Sequence, residues 1–314
     1  GAALLTNLHL PNFLKGGLYQ GAGKNVCVPG LNCYSCPAAS GACPIGAFQA
    51  VVGSSKFSFS YYITGFLILL GVLLGRFICG FLCPFGWFQE LLHKIPTKKL
   101  STKRLKPLTY LKYAVLLVMV FLLPAFLVND VGMGDPFFCK YLCPQGVLEG
   151  AIPLSLANSG IRAALGSLFT WKFCILLAVI VLSVVFYRPF CKWLCPLGAF
   201  YALFNRVSLF QMKVDRSKCV SCGKCAKACK MDVDVTKTPN HAECIRCGMC
   251  VRACPTSAVS FRYGFGDGKK EPANELKADG TGERHPGGEH RAVGEGLPVR
   301  RQGHDHAGGR QELR

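Results

Sequence analysis

The chain has 314 residues, 51% of them hydrophobic, a formal net charge of +19 and nineteen cysteines. Its Leu- and Val-rich blocks exceed what an ordinary soluble core needs, and the cysteines fall at metal-ligand spacings, which excludes a secreted disulfide scaffold. The charge does not by itself point to nucleic acid: no binding motif accompanies it, and all of the excess lies in residues 1–263, where 27 basic residues face 8 acidic ones, mostly beside apolar segments. That placement reads as membrane orientation and contact with anionic lipid.

Taken in chain order, residues 1–5 resemble the tail of an apolar helix, and a start at Gly1 rather than Met is expected from either a preceding transmembrane segment or a processed end. Residues 1–56 then form an extracytoplasmic segment carrying Cys27, Cys33, Cys36 and Cys43. A transmembrane core follows over 57–208. Its three spans cover about 61–78, 111–128 and 171–187, each with 17 or more residues and no acidic group, enough for roughly 25–30 Å of helix. The stretch 147–169 carries Pro153, Asn158 and Arg162 and is predicted to be an interfacial amphipathic helix. Cys174, alone in the third span, reads as a packing residue. Residues 209–263 hold two ferredoxin-type cysteine runs, and 264–314, rich in Gly, Glu, Arg and His, read as a disordered tail.

Orientation follows from Lys and Arg. Residues 93–106 carry six, residues 188–262 carry thirteen, and 129–170 only Lys140 and Arg162. The positive-inside rule therefore places 80–110 and everything after 188 in the cytoplasm, with 7–59 and 129–170 outside. This sorts the cysteines into a cytoplasmic-side group and an outer group.

Four Cys-Pro-x-Gly repeats punctuate the core, at Cys43, Cys83, Cys143 and Cys195; the last three have a second cysteine four residues earlier, Cys79, Cys139 and Cys191. Cysteines at i and i+4 share one helix face. The following Pro suits the first position of a new helix, whose free N–H groups favour a thiolate. Cys79, Cys83, Cys191 and Cys195 are thus predicted to hold one [4Fe–4S] cluster on the cytoplasmic side. The outer site offers six cysteines for four places. The preferred set is Cys36, Cys43, Cys139 and Cys143, with Cys33 as the substitute for Cys36, and a disulfide among the six is the competing reading. Sites at opposite faces would be separated by roughly 30 Å of bilayer core; the apolar run Ile78–Phe88 favours sites sunk toward the midplane.

The C-terminal runs both read C-x2-C-x2-C-x3-C, the bacterial ferredoxin spacing in which the fourth cysteine serves the other cluster. One site is then Cys219, Cys222, Cys225 and Cys254, the other Cys244, Cys247, Cys250 and Cys229. Structural zinc does not need four cysteines in each tight run. In all, four [4Fe–4S] clusters are predicted. No haem attachment motif, no His within a clear span, no covalent flavin and no convincing dinucleotide fingerprint are seen. No nucleophile–base set is evident, so the chain is expected to carry electrons and to leave bond chemistry to a partner.

These residues bring a resemblance. The Cys79/Cys83, Cys139/Cys143 and Cys191/Cys195 pairs, the segment Asn32-Cys-Tyr-Ser-Cys-Pro37 and the double run resemble the NapH-type membrane polyferredoxins. These are relatives of the iron–sulfur parts of nitrous-oxide-reductase regulators and cytochrome-oxidase assembly proteins. The similarity covers about residues 25–263. It implies a mainly α fold, with polytopic membrane helices bearing embedded cluster sites and a C-terminal α+β two-cluster ferredoxin domain. The expected role is that of an electron-transfer subunit in the cytoplasmic (inner) membrane, multi-pass, with its ferredoxin domain in the cytoplasm. It would relay electrons between a cytoplasmic donor or acceptor and an extracytoplasmic, membrane or quinone partner, alongside other subunits of a redox complex. The alternatives are a maturation factor that reduces a metal or thiol on a client enzyme, and a redox-sensing membrane regulator.

Overall fold

The computed structural model describes residues 6–54, 60–130 and 132–264. The tail beyond Gly264 and the apolar stub at 1–5 lie outside the described residues. The described residues belong to one compact unit.

Three of the four repeats open a helix at once. Cys43 (φ −70°, ψ 125°), Cys83 (φ −85°, ψ 115°) and Cys195 (φ −70°, ψ 112°) are extended, and the next residue is a Pro in the first helical position. Proline lacks an N–H that would be orphaned there anyway and is already held at helical φ. The resulting helices are α1 (Pro44–Gly53), α4 (Pro84–His93) and α11 (Pro196–Phe204). The first cysteine of each pair, Cys79, Cys139 or Cys191, lies in a short helix just before its repeat: α3 (Phe77–Phe81), α6 (Phe138–Leu142) and α10 (Pro189–Trp193).

Among the described residues, two helices are long and apolar enough to cross a membrane: α5 (Leu105–Phe126) and α9 (Ser167–Val185). Only 28% and 17% of their apolar windows are buried within the protein. These present Leu117, Phe126, Leu177 and Val181 outward, where the core helix of a soluble protein would be mostly covered. Cys174 is also exposed on α9, so it does not pack in the interior as expected.

The first expected span is shorter than predicted. Helix α2 (Tyr61–Leu74) stops at Gly75, which turns with φ 53°, after 14 residues or about 21 Å of rise. The reason is the next residue. Arg76 is completely buried and ion-paired, so the chain leaves the helix to place its guanidinium against protein partners. The expected interfacial helix at 147–169 is likewise broken. It is α7 (Gly146–Ala157), then Asn158 in extended conformation, then α8 (Ser159–Ala163), whose N-terminus is capped by the Asn158 side chain. The third long helix begins earlier than predicted, at Ser167.

The C-terminal module is closed by a two-stranded antiparallel sheet, β1 (Phe210–Val214) with β2 (Val259–Tyr263), in the register Phe210 with Tyr263 through Val214 with Val259. Between the strands lie α12 (Lys224–Ala228) and α13 (Met249–Ala253). Each follows a Gly in the left-handed region and ends at a cysteine, Cys229 or Cys254. The basic loop folds under the C-terminal end of α9, where Lys99 and Thr97 donate to the Val184 carbonyl. The loop also reaches the module, through Ser101 and Thr102 to Asp232.

Candidate metal centres

The ferredoxin module gathers its cysteines into two groups. Cys219, Cys222, Cys225 and Cys254 line one small cavity, and Cys229, Cys244, Cys247 and Cys250 line the other. Each group takes three ligands from one run and one from the other. Among the described residues, no three Cys, His, Asp or Glu groups converge on a single ion position. Cubane ligands bind separate corners, so their sulfurs stand apart rather than meeting at one point.

Cys79, Cys83, Cys191 and Cys195 come together at the junction of α3, α4, α10 and α11. All four are 5–8% exposed, and their sulfurs are near enough to interact electrostatically. Two arginines stitch this site across its halves. Arg76, three residues before Cys79, donates through Nη2 to the Cys191 carbonyl at 3.2 Å. Arg188, three residues before Cys191, donates through Nη1 to the Cys79 carbonyl at 2.5 Å and through Nη2 to Glu90 at 2.6 Å.

A second core site is built on the same plan from the first and third repeats. Cys33, Cys43, Cys139 and Cys143 line one cavity of about 570 Å³, with Lys24 and Lys172 at its wall. Lys172 donates to the Cys139 carbonyl at 3.0 Å, and Lys24 to the Tyr34 carbonyl. Cys36 is not among the lining residues. Its sulfur faces Asn7 Oδ1 at 3.7 Å, in a separate small cluster with Ala38 and Ala39. Of the two cysteines in the turn at 33–36, it is Cys33 that lines the cavity with Cys43, Cys139 and Cys143. Cys27 packs in the main core.

The residues present fit a cubane at both positions. Gly46 and Gly146 line the second cavity, and a Cβ on either would stand 3.8 Å from a sulfur, that of Cys139 or Cys33. A side chain there would occupy the volume a cluster needs. Cys43 and Cys143 are buried, so thiolates at these positions need the compensation that bound iron supplies.

The two core sites are neighbours. Consecutive backbone N–H groups straddle them, that of Leu31 directed to the Cys83 thiol and that of Asn32 to the Cys43 thiol. Tyr201, fully buried, donates to the Pro29 carbonyl at 3.0 Å and lies within electrostatic reach of Cys79, Cys83 and Cys43. On the other side, Cys229 and Cys247 pack against the core that contains Cys79, Cys83 and Cys195. Cys225 and Cys254 belong instead to the separate small core of the module.

Buried charges dock the module on the helices. Glu243 accepts from Arg76 Nη1 at 2.8 Å and from Lys112. Lys192, beside Cys191, bridges the Lys230 carbonyl at 2.9 Å and Asp232 at 3.0 Å. Burial alone would raise the Asp232 carboxyl, but Thr102 and Lys192 outweigh it and hold it below its usual range. Arg246 donates to the Leu74 carbonyl at 2.8 Å and the Asn205 carbonyl at 2.7 Å.

None of these partners was singled out from the sequence. The signal that could have found the arginines is a longer repeat, Arg-x2-Cys-x3-Cys-Pro-x-Gly, which occurs at Arg76 and again at Arg188.

Comparison with known proteins supplies the family. Models of a 4Fe-4S binding domain match residues 41–61, 58–103, 112–152 and 168–217, and a second 4Fe-4S binding domain model matches 212–233 and 238–260. An uncharacterized protein of Methanocaldococcus jannaschii is 31% identical over 209 residues, 63% of this chain and 77% of that one. The putative electron transport protein YccM of Escherichia coli is 26% identical, over 54% of this chain and 45% of its own length. The ferredoxin-type protein NapH of Haemophilus influenzae is 26% identical, over 35% of this chain and 53% of its own. No solved structure matches. The chain belongs to the family of 4Fe-4S ferredoxin-type electron-transport proteins.

Proposed function

We propose that this chain is a membrane-bound relay that carries electrons through four [4Fe–4S] sites in a row. The order, from the module inward, is Cys219/Cys222/Cys225/Cys254, then Cys229/Cys244/Cys247/Cys250, then Cys79/Cys83/Cys191/Cys195, then Cys33/Cys43/Cys139/Cys143. A bound [4Fe–4S] cluster supplies one-electron redox chemistry. The chain's own residues supply placement. Glu243, Arg76 and Lys192 press the module against the core. Leu31 and Asn32 hold the two core sites on adjacent peptide units. Lys24, Lys172, Arg76 and Arg188 bring positive charge to sites whose thiolate-ligated clusters are anionic.

The observation that carries this reading is the continuity of cysteine groups from the module into the core, with no separation on the scale of a bilayer between them. The Lys/Arg asymmetry supports a cytoplasmic position for the module and the basic loop, so a cytoplasmic redox protein would exchange electrons there. The large Cys33/Cys43 cavity would face the other partner, a quinone or an extracytoplasmic protein.

Electron paramagnetic resonance on the reduced, anaerobically purified chain tests the proposal. Cys79→Ser and Cys195→Ser should each damage the same centre, while Cys222→Ser damages a different one. Loss of different signals from Cys79→Ser and Cys195→Ser would refute the shared site.

A further inference from the structure

Two glutamines occupy the same place in the first two repeats, six residues after the cysteine: Gln49 after Cys43 and Gln89 after Cys83. Both are fully buried. Gln89 Oε1 accepts from the Phe190 backbone N–H at 3.1 Å, and its Nε2 lies 3.2 Å from Cys191 Sγ. Gln49 repeats this at the other core site. Its Oε1 accepts from the Phe138 N–H at 3.0 Å, and its Nε2 lies 3.2 Å from Cys139 Sγ. The second amide hydrogen of each returns to its own helix, at the Phe85 or Ile45 carbonyl, both at 3.3 Å.

The amide orientation is dictated by chemistry. The Phe138 and Phe190 N–H groups can only donate, so each must meet the amide oxygen. The nitrogen is thereby forced toward the sulfur. An amide that only braced a helix would need the oxygen contact and nothing at the cysteine. Here the donor is aimed at the first cysteine of the partner repeat, in two places related by the internal repeat. The other two repeats use the same position differently: Glu149 accepts from the Cys33 N–H at 3.1 Å, and Tyr201 donates to Pro29. Each core site therefore receives one side-chain amide donor on one ligand sulfur.

We infer that Gln89 and Gln49 are positioning residues that set the reduction potentials of the two core clusters, each through an N–H···S hydrogen bond to Cys191 or Cys139. A donor to a ligand sulfur stabilises the reduced, more negative cluster and raises its potential. The inference rests on the reading that both core sites hold clusters.

The test is a redox titration of the full chain in detergent, followed by electron paramagnetic resonance, with iron counted on the same samples. Gln89→Glu keeps an oxygen for the Phe190 N–H and removes the amide donor. It should leave iron unchanged and disfavour reduction of the Cys79/Cys83/Cys191/Cys195 centre by about tenfold, a shift of about 59 mV for one electron. Gln49→Glu should shift the other core centre instead. Gln89→Met, which removes the donor without adding charge, should shift the same centre in the same direction. An unchanged potential in either Gln89 variant, or an equal shift at both core centres, overturns the inference. Loss of that centre's iron from both variants would make Gln89 a structural brace and overturn it as well. Wild-type protein with about eight iron atoms, two clusters' worth at four each, would instead sink the underlying cluster assignment.

Discussion

Replacing Glu243 with Gln would take away the negative charge between two cations that have no exposure to solvent. Arg76 and Lys112 side chains are each 0% exposed, and Glu243 is 11% exposed. Breaking a buried ion pair by removing one partner costs about 3–5 kcal/mol, because the other partner stays buried and uncompensated. Here the cost falls on the seam between module and helices. It should shift the docking equilibrium by roughly a hundred- to a few thousand-fold, at about 1.4 kcal/mol per tenfold. Hydrogen exchange of the purified chain reads this directly: amides of residues 240–250 should lose protection in Glu243→Gln, while those of α9 keep it. Adding Lys112→Met should restore part of the protection, since one of the two orphaned charges is then gone. Unchanged protection in the single variant would show that the buried triad does not hold the module, and the reasoning would be wrong.

Iron and sulfide analysis of anaerobically purified chain should give about sixteen iron atoms, four per cluster; about eight would remove the core pair. Cys33→Ser should abolish one core centre, whereas Cys36→Ser should leave all four in place; the reverse result would restore the set first read from the sequence. Labelling at Lys99 and Asn158 should occur from opposite sides of the membrane, and labelling of both from one side would overturn the orientation drawn from Lys and Arg.

Sequence reasoning reached the repeats, the double run and the grouping of the inner core cysteines, because covalent spacing and helix periodicity are local properties. It misjudged what depends on tertiary partners. The first apolar run continues past Gly75 as a pattern, yet the helix stops there because Arg76 must reach Glu243, 167 residues on in the chain. The sequence pattern favours Cys36 with Cys33 as the substitute, and only the fold of 31–39 shows that Cys33 lines the cavity with Cys139. Gln49 and Gln89 stand three residues beyond the Gly of their Cys-Pro-x-Gly repeats and carry no signal of their own. Their role emerges only when Phe138 and Phe190 are seen across from them.

The pairing of first repeat with third, and second with fourth, has a bearing on how the protein is made. The ligand sets close in a fixed order along the chain: Cys143 completes the set furthest from the module, Cys195 the next, Cys250 the third and Cys254 the last. In the proposed relay a nascent chain thus acquires its cysteine sets starting with the one furthest from the module and finishing within the module. Any cut between Cys83 and Cys139 leaves two fragments that divide both core sites between them. With the ligand sets proposed above, the core is not two tandem units joined by a linker but one interlaced object, whose halves would take up iron only after they had found each other.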